Sequence, residues 1–345
     1  MNKSIAILPI VALVAACGGN GSGGNAGGNQ IKIVGSATVY PFTKAVAEAF
    51  QGANPGTPVI VEATGTGAGM KLFCAGVGDK FPDITDASRA IKASEYADCT
   101  KNGVKQVIEQ PIGIDGLTLI ENKSTVPLNL TQLDLYKALA ANPFGKPNTA
   151  KSWKDVNPAL PDLAIRVLGP SPISGTRDTL ADLILEKGCD TDPAMQALKK
   201  SDEKKHKDIC TKIREDGPYV EVADNPNLLV QKISQDDHSL GVLGYSYLEA
   251  NADKVKAAQL AGITPTEETI ANLTYPGSRK LFIYVKGDHF VAKPKLKDFL
   301  TFYSKQWAKG GMLEKKGLVT FSGADAQGAT TQAGAMKPLD PAGLK

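Results

Sequence analysis

The sequence predicts an α/β fold, a mainly parallel β-sheet with helices on both faces. Two observations carry this. Apolar runs of strand length alternate with segments whose apolar residues recur at helical spacing, the order that lays parallel strands side by side. Loops rich in Gly, Ser and Thr then run straight into helix patterns at 35–42 (GSATVYPF), 64–70 (TGTGAGM) and 174–178 (SGTRD). With 345 residues, 42% of them hydrophobic, the chain suits one large or two medium domains.

Taken in order, residues 31–34 read as a short apolar strand, followed by the first loop and by Pro41 at a first-turn helix position. Val46, Ala49 and Phe50 give that helix its apolar face. Residues 58–62 form the next strand, and Met70, Phe73, Cys74 and Val77 fall at i, i+3, i+4 and i+7 of the helix behind it. A strand at 83–86 leads into Ala87, Ser88 and Arg89. Around 111–116 two glycines mark a strand edge and a crossover, after which a second unit begins with a strand at 117–120. A helix over about 130–141, a strand at 164–168, the 174–178 loop and a helix bearing Leu180, Leu183 and Ile184 follow. The charge-dense run 199–212 reads as a solvated helix or loop. Strands at 241–245 and 280–285 and a helix over 295–307 complete the pattern, and periodicity fades after Gly323.

The first residues set the compartment. A short basic start, an apolar run from Ile5 to Val14 and the small residues before Cys17 read as a secretory signal over 1–16, too short to span a membrane. Residues 13–17 (LVAAC) resemble a bacterial lipoprotein box, so Cys17 is the expected lipidation site. Gly, Asn and Ser dominate the stretch behind it, a tether with a reach of roughly 20 Å. A lipidated cysteine on a slack leash (17–30) places a globular body beside a bacterial membrane, in the periplasm. The remaining cysteines, Cys74, Cys99, Cys189 and Cys210, are even in number in an oxidising space. Of three possible pairings, Cys74–Cys99 and Cys189–Cys210 close the smallest loops. A zinc site is the alternative use of four cysteines, but there is no C-x-x-C pair and the three histidines are scattered, so no metal is expected.

The function signal lies in the three loops. A helix start carries free N–H groups and roughly +0.5 of a charge, which suits a phosphate-like anion. Three such starts, far apart in sequence, point to one oxyanion pocket. A net charge of +3 without basic runs interleaved by aromatics gives no nucleic-acid surface. The glycine pattern 65–69 departs from G-x-G-x-x-G, and neither a phosphate-binding P-loop nor a G-x-S-x-G elbow occurs. No catalytic constellation or cofactor motif is visible, so binding without chemistry is the simplest account.

Six motifs, GSATVYP at 35–41, TGAGMK at 66–71, ASRAIK at 87–92, GIDG at 113–116, SGT at 174–176 and YPGSRKLFIYV at 275–285, resemble in this order the periplasmic phosphate-binding proteins of the PstS type. Those are the substrate-binding components of phosphate ABC importers. The resemblance implies the two-lobed type II periplasmic-binding-protein fold. Its lobe 1 would be 31–111 plus 276–345, its lobe 2 112–275, with a hinge between them. It also implies a monomer that holds inorganic phosphate in the cleft and hands it to a membrane permease.

Carried over residue by residue, Thr38, the Val39 N–H, Thr66, Ser174, Gly175 and Thr176 fall on phosphate-contacting positions. Ser36 and Ser88 are further hydroxyl candidates, with helix capping as the alternative. Two positions depart. The family often has Asp where this chain has Arg89, and Arg where it has Pro170, so Arg89 and Arg177 are the candidate cations, with a surface role the alternative for each. Without that Asp, the acceptor that tells protonated phosphate from sulfate must come from elsewhere, and Asp86, Asp115 and Asp178 are nearest the loops. Another tetrahedral oxyanion (sulfate, molybdate or a phosphonate) is the alternative ligand, and a secreted phosphatase the alternative class.

Overall fold

The computed structural model describes residues 29–125, 127–222 and 225–344. The signal segment, Cys17 and all but the end of the tether lie outside the described residues. The strands are β1 (Ile31–Gly35), β2 (Val59–Ala63), β3 (Ile84–Ala87), β4 (Val107–Asn122), β5 (Asn129–Leu130), β6 (Val167–Pro170), β7 (Tyr219–Val222), β8 (Leu240–Gly244), β9 (Val255–Ala257), β10 (Gln259–Leu260) and β11 (Ser278–Lys286). Among the described residues nine of them form one sheet in the order β2-β1-β3-β11-β4-β8-β6-β7, with β9 beside β4. β1 lies parallel to β2 and β3, and β6 lies parallel to β7 and β8. β11 runs antiparallel between β3 and β4, and β4 antiparallel to β8 and β9. The sheet is therefore mixed, with parallel strands at both ends and antiparallel ones joining them.

One expected break is absent. Residues 111–116 and 117–120 belong to a single strand, β4, of 16 residues, whose register against β11 slips by one residue at Ile112. Its glycines serve close packing rather than a crossover. A Cβ on Gly113 would lie 2.4 Å from Leu318, and one on Gly116 2.9 Å from Ile270. The first part of β4 pairs with β11 and the last part with β8 and β9, so this strand joins the halves of the sheet.

The packing follows that division. Ile31, Ile33, Val46, Phe50, Ile283 and Phe299 belong to one buried cluster, while Leu119, Leu135, Trp153, Ile184 and Leu240 belong to another. In the helix Tyr40–Ala53, Pro41 sits in the first turn and Val46 and Phe50 are buried. The tail is not aperiodic as read from sequence. Gly323–Ala335 is a helix whose buried residues are only Ala329 and Ala333, a stripe too narrow to register as periodicity. Charge-dense 199–212 falls largely in the helices Pro193–Ser201 and Glu203–Cys210. Both local cysteine pairs are bonded, Cys74–Cys99 at 2.02 Å and Cys189–Cys210 at 2.00 Å. No helix among the described residues is long and apolar enough to cross a membrane.

Candidate functional site

Three parallel strands deliver three loops to one place. Gly35 at the end of β1 has φ +135°, and a Cβ there would sit 2.1 Å from the Asp86 carbonyl oxygen, so the position tolerates only glycine. The Gly35 carbonyl accepts from the N–H groups of Thr64 and Gly65, each at 2.8 Å, and the Ser36 N–H donates to Asp86 O at 2.9 Å. The loops after β1, β2 and β3 are thus stitched together through backbone alone. Their hydroxyls meet as well. Thr66 Oγ1 lies 3.0 Å from Ser88 Oγ and accepts the Ser88 N–H at 3.1 Å. Ser36 Oγ accepts from the N–H groups of Thr38 and Val39, at 3.2 and 3.3 Å, and so fixes the turn that leads into the helix Tyr40–Ala53, whose own N-cap residue, Val39, makes no side-chain cap.

These loops face a cleft of about 1120 Å³ lined by Ser36, Thr66, Ser88, Arg89, Asp178 and Arg279, among others. Its deepest cation is Arg279 on β11, 9% exposed. Its Nη2 donates to Thr38 Oγ1 at 3.0 Å and to Thr179 Oγ1 at 2.7 Å. Its other nitrogens face Asp115 at 3.4 Å and Asp182 at 3.2 Å. Arg279 therefore ties the β1 loop to the helix that starts at Gly175. Thr38 makes a second link between them, donating to the Gly175 carbonyl at 3.1 Å. Beyond this junction, Thr38 and Asp115 share a smaller cavity of about 410 Å³ with Ser174, Gly175 and Thr176. Held by two carboxylates and two hydroxyls, Arg279 keeps one Nη1 N–H uncommitted, beside loops rich in N–H and O–H donors that can bind a small oxyanion.

The comparisons with known proteins agree. Residues 20–306 match the model of the PBP superfamily domain. The chain is 30% identical over 313 residues to the phosphate-binding protein PstS of Staphylococcus saprophyticus, spanning 89% of this chain and 85% of that protein. The chain belongs to the PstS-type phosphate-binding family. It is also 33% identical over 284 residues to protein SphX of Synechococcus elongatus, covering 80% of this chain and 73% of that one. Among solved structures it resembles a possible phosphate binding protein from Planctomyces limnophilus, with TM-score 0.71 and 29% identity, over 89% of this chain and 98% of that one. An ABC-type phosphate transport receptor from Vibrio cholerae shares the fold, with TM-score 0.58 and 23% identity, over 82% and 97% of the two chains.

In this PstS-type chain the predicted site residues fall into four groups. Ser36, Thr66 and Ser88 converge on the larger cleft, with Thr38 at its junction with the smaller one. Val39 is buried, and its N–H is taken by Ser36 Oγ. Ser174, Gly175 and Thr176 open the short helix Gly175–Thr179, with Ser174 Oγ accepting from the Thr176 N–H at 3.3 Å. The two predicted cations are already engaged. Arg89 lines the cleft, but its guanidinium grips Glu95 at 2.9 and 2.7 Å. Arg177 stacks 4.2 Å over the Tyr219 ring and lies 4.0 Å from Glu221.

The sequence reading did not single out Arg279. The signal was present in the 275–285 motif, where Arg279 and Leu281 alternate with Ser278 and Lys280 and so take the inward face of β11.

The candidate acceptors also separate. Asp86 is fully buried, accepts from Thr43 at 2.9 Å, and is pushed up to about 8 by that burial. Asp115 is occupied by Arg279 and by Thr179 at 2.9 Å. Asp178 alone of the three lines the larger cleft. Burial and the neighbouring Asp182 raise its carboxyl above the ordinary range, with Arg279 opposing.

Proposed function

We propose that this chain binds inorganic phosphate reversibly and delivers it to the membrane permease of an ABC importer. The observation that carries the reading is the convergence of the β1, β2 and β3 loops beside the buried Arg279. Phosphate would take hydrogen bonds from Thr66, Ser88 and the loop N–H groups, with Arg279 supplying charge and Asp178 accepting the phosphate proton. Several charge-assisted hydrogen bonds of roughly 1.5–3 kcal/mol each exceed the ~8 kcal/mol of micromolar binding, even after ordering costs. In this reading 31–111 plus 276–345 form one lobe and 112–275 the other. Thr38, Gly175 and Arg279 stand where the lobes meet, so closure and anion capture are one event. Cys17 would carry the lipid that keeps the protein at the membrane.

Asp178 gives the site its choice of anion. Phosphate near neutral pH keeps at least one proton to donate, whereas sulfate has none and would face an unpaired carboxylate. Titration calorimetry on phosphate-stripped protein tests the reading. We expect micromolar or tighter phosphate binding, at least a hundredfold weaker sulfate binding, and no turnover of a chromogenic phosphoester. Absence of heat with phosphate at neutral pH overturns it.

A further inference from the structure

Beneath the helices that line the opposite wall of the larger cleft, a second cluster carries chemistry that anion binding does not use. Cys189 ends the helix Glu186–Cys189, and Cys210 ends the helix Glu203–Cys210. His206 precedes Cys210 by four residues and so shares its helix face. All three are fully buried. One ligand atom from each lies within 4.8 Å of the others.

The histidine is the telling member. Its Nε2 lies 2.7 Å from Asp190 Oδ1. A carboxylate only accepts, so Nε2 carries the proton that is shared with Asp190, and Nδ1 is the ring nitrogen left over as a ligand atom. That Nδ1 is buried with no hydrogen-bond partner. Asp190 is itself held in place by Lys199 at 2.7 Å. A carboxylate fixing one imidazole nitrogen while the other stays free is the outer-shell arrangement of metal-bound histidines. A structural disulfide explains the two sulfurs but not the oriented, unpaired nitrogen beside them.

We propose that Cys189, Cys210 and His206 form a binding site for a thiophilic divalent metal, fitted to Zn2+, whenever a dithiol reductant opens the Cys189–Cys210 bond. Two sulfurs and one nitrogen suit zinc over harder cations, and three protein ligands leave a fourth position for water. The exchange balances. The disulfide gains two electrons and two protons from the dithiol, which closes to its own disulfide, and metal binding then releases the two thiol protons to solvent. Disulfide and metal are mutually exclusive occupants of one place, both joining the same two helices. The site is independent of the phosphate reading.

The test uses the full chain, reduced with a dithiol, freed of it anaerobically and titrated with Co2+ as a spectroscopic stand-in for zinc. The expected result is an intense thiolate-to-cobalt charge-transfer band saturating at one equivalent and bleached by Zn2+. The oxidised protein should show none. Cys189→Ser with Cys210→Ser should abolish the band, and His206→Gln, which keeps both thiols, should weaken binding at least tenfold. A band that survives the double serine variant comes from the other cysteines, Cys17, Cys74 and Cys99, and overturns the proposal. So does a His206→Gln titration that matches wild type. Circular dichroism accompanies each titration: reduced protein that unfolds and does not refold with metal also overturns it.

Discussion

Replacing Gly175 by alanine tests whether the junction between the β1 loop and the Gly175 helix is part of anion binding. A Cβ at Gly175 would lie 2.6 Å from Thr38 Cα, 2.8 Å from Ala37 O and 2.9 Å from Thr38 N. Ordinary carbon contacts sit near ~3.5–4.0 Å, so the two segments must part by about 1 Å. No side-chain rotation relieves this, because all three atoms are main chain. The loop cannot simply yield either, since Ser36 Oγ holds the Thr38 and Val39 N–H groups. Moved by that distance, the 3.1 Å bond from Thr38 to the Gly175 carbonyl lengthens past hydrogen-bond range. That loss is about 1 kcal/mol, and disturbing the charged Arg279–Thr38 contact adds about 1.5–3 kcal/mol. Together they weaken phosphate binding by a factor of about 50 or more. Calorimetry on the variant measures this, with melting of the ligand-free protein as the stability control. The melting temperature of the ligand-free protein should fall by several degrees at most, since the lost junction contacts amount to about 2.5–4 kcal/mol. Gly67→Ala serves as the comparison, since a Cβ there meets nothing within 4 Å. A Gly175→Ala protein that binds phosphate within threefold of wild type would refute the reasoning, because the junction would then be absent from the binding form.

Three further outcomes are expected. Arg279→Lys keeps the charge but cannot reach Thr38, Thr179, Asp115 and Asp182 together, so phosphate affinity measured by calorimetry should fall at least tenfold. Asp178→Asn should raise sulfate affinity and narrow the gap to phosphate by about tenfold or more, read by competition between the two anions. Asp86 has a folded-state value raised to about 8 from 3.8, so its neutral form is favoured on folding. Its contribution is fully present below the unfolded value and is lost as pH rises through the folded one. Wild type should therefore lose stability relative to Asp86→Asn between about pH 4 and 8, and the gap should stay constant above that range. Urea unfolding of both proteins at pH 4.5, 7 and 9 checks the sign; parallel curves would mean that Asp86 ionises normally.

Much of the fold was legible because its signals are local. The loop 35–42 announces itself by a glycine, hydroxyls and a first-turn proline within eight residues, and the helix Tyr40–Ala53 follows as expected. The cysteine pairs were legible for the same reason, since their separations of 25 and 21 residues close short loops. Elements failed where the local signal was weak or ambiguous. Gly113 and Gly116 read as a break, but they clear space for Leu318 and Ile270 over a continuous β4. The Gly323–Ala335 helix buries two alanines and shows no stripe to find.

The sequence by itself determined the local form of the candidate loops, because a helix start with small and hydroxyl residues is complete within a few positions. It could not say which charged side chain completes the pocket. Arg89 looked the natural candidate, yet Glu95, six residues on, occupies its guanidinium. Arg279 takes the central place by reaching Thr38, 241 residues away, and Asp115, 164 residues away. A guanidinium interacts with whatever the fold brings within a few ångströms, and sequence distance carries no information about that. Only the tertiary structure decides which carboxylates and hydroxyls each cation meets, and which cation lies between the loops.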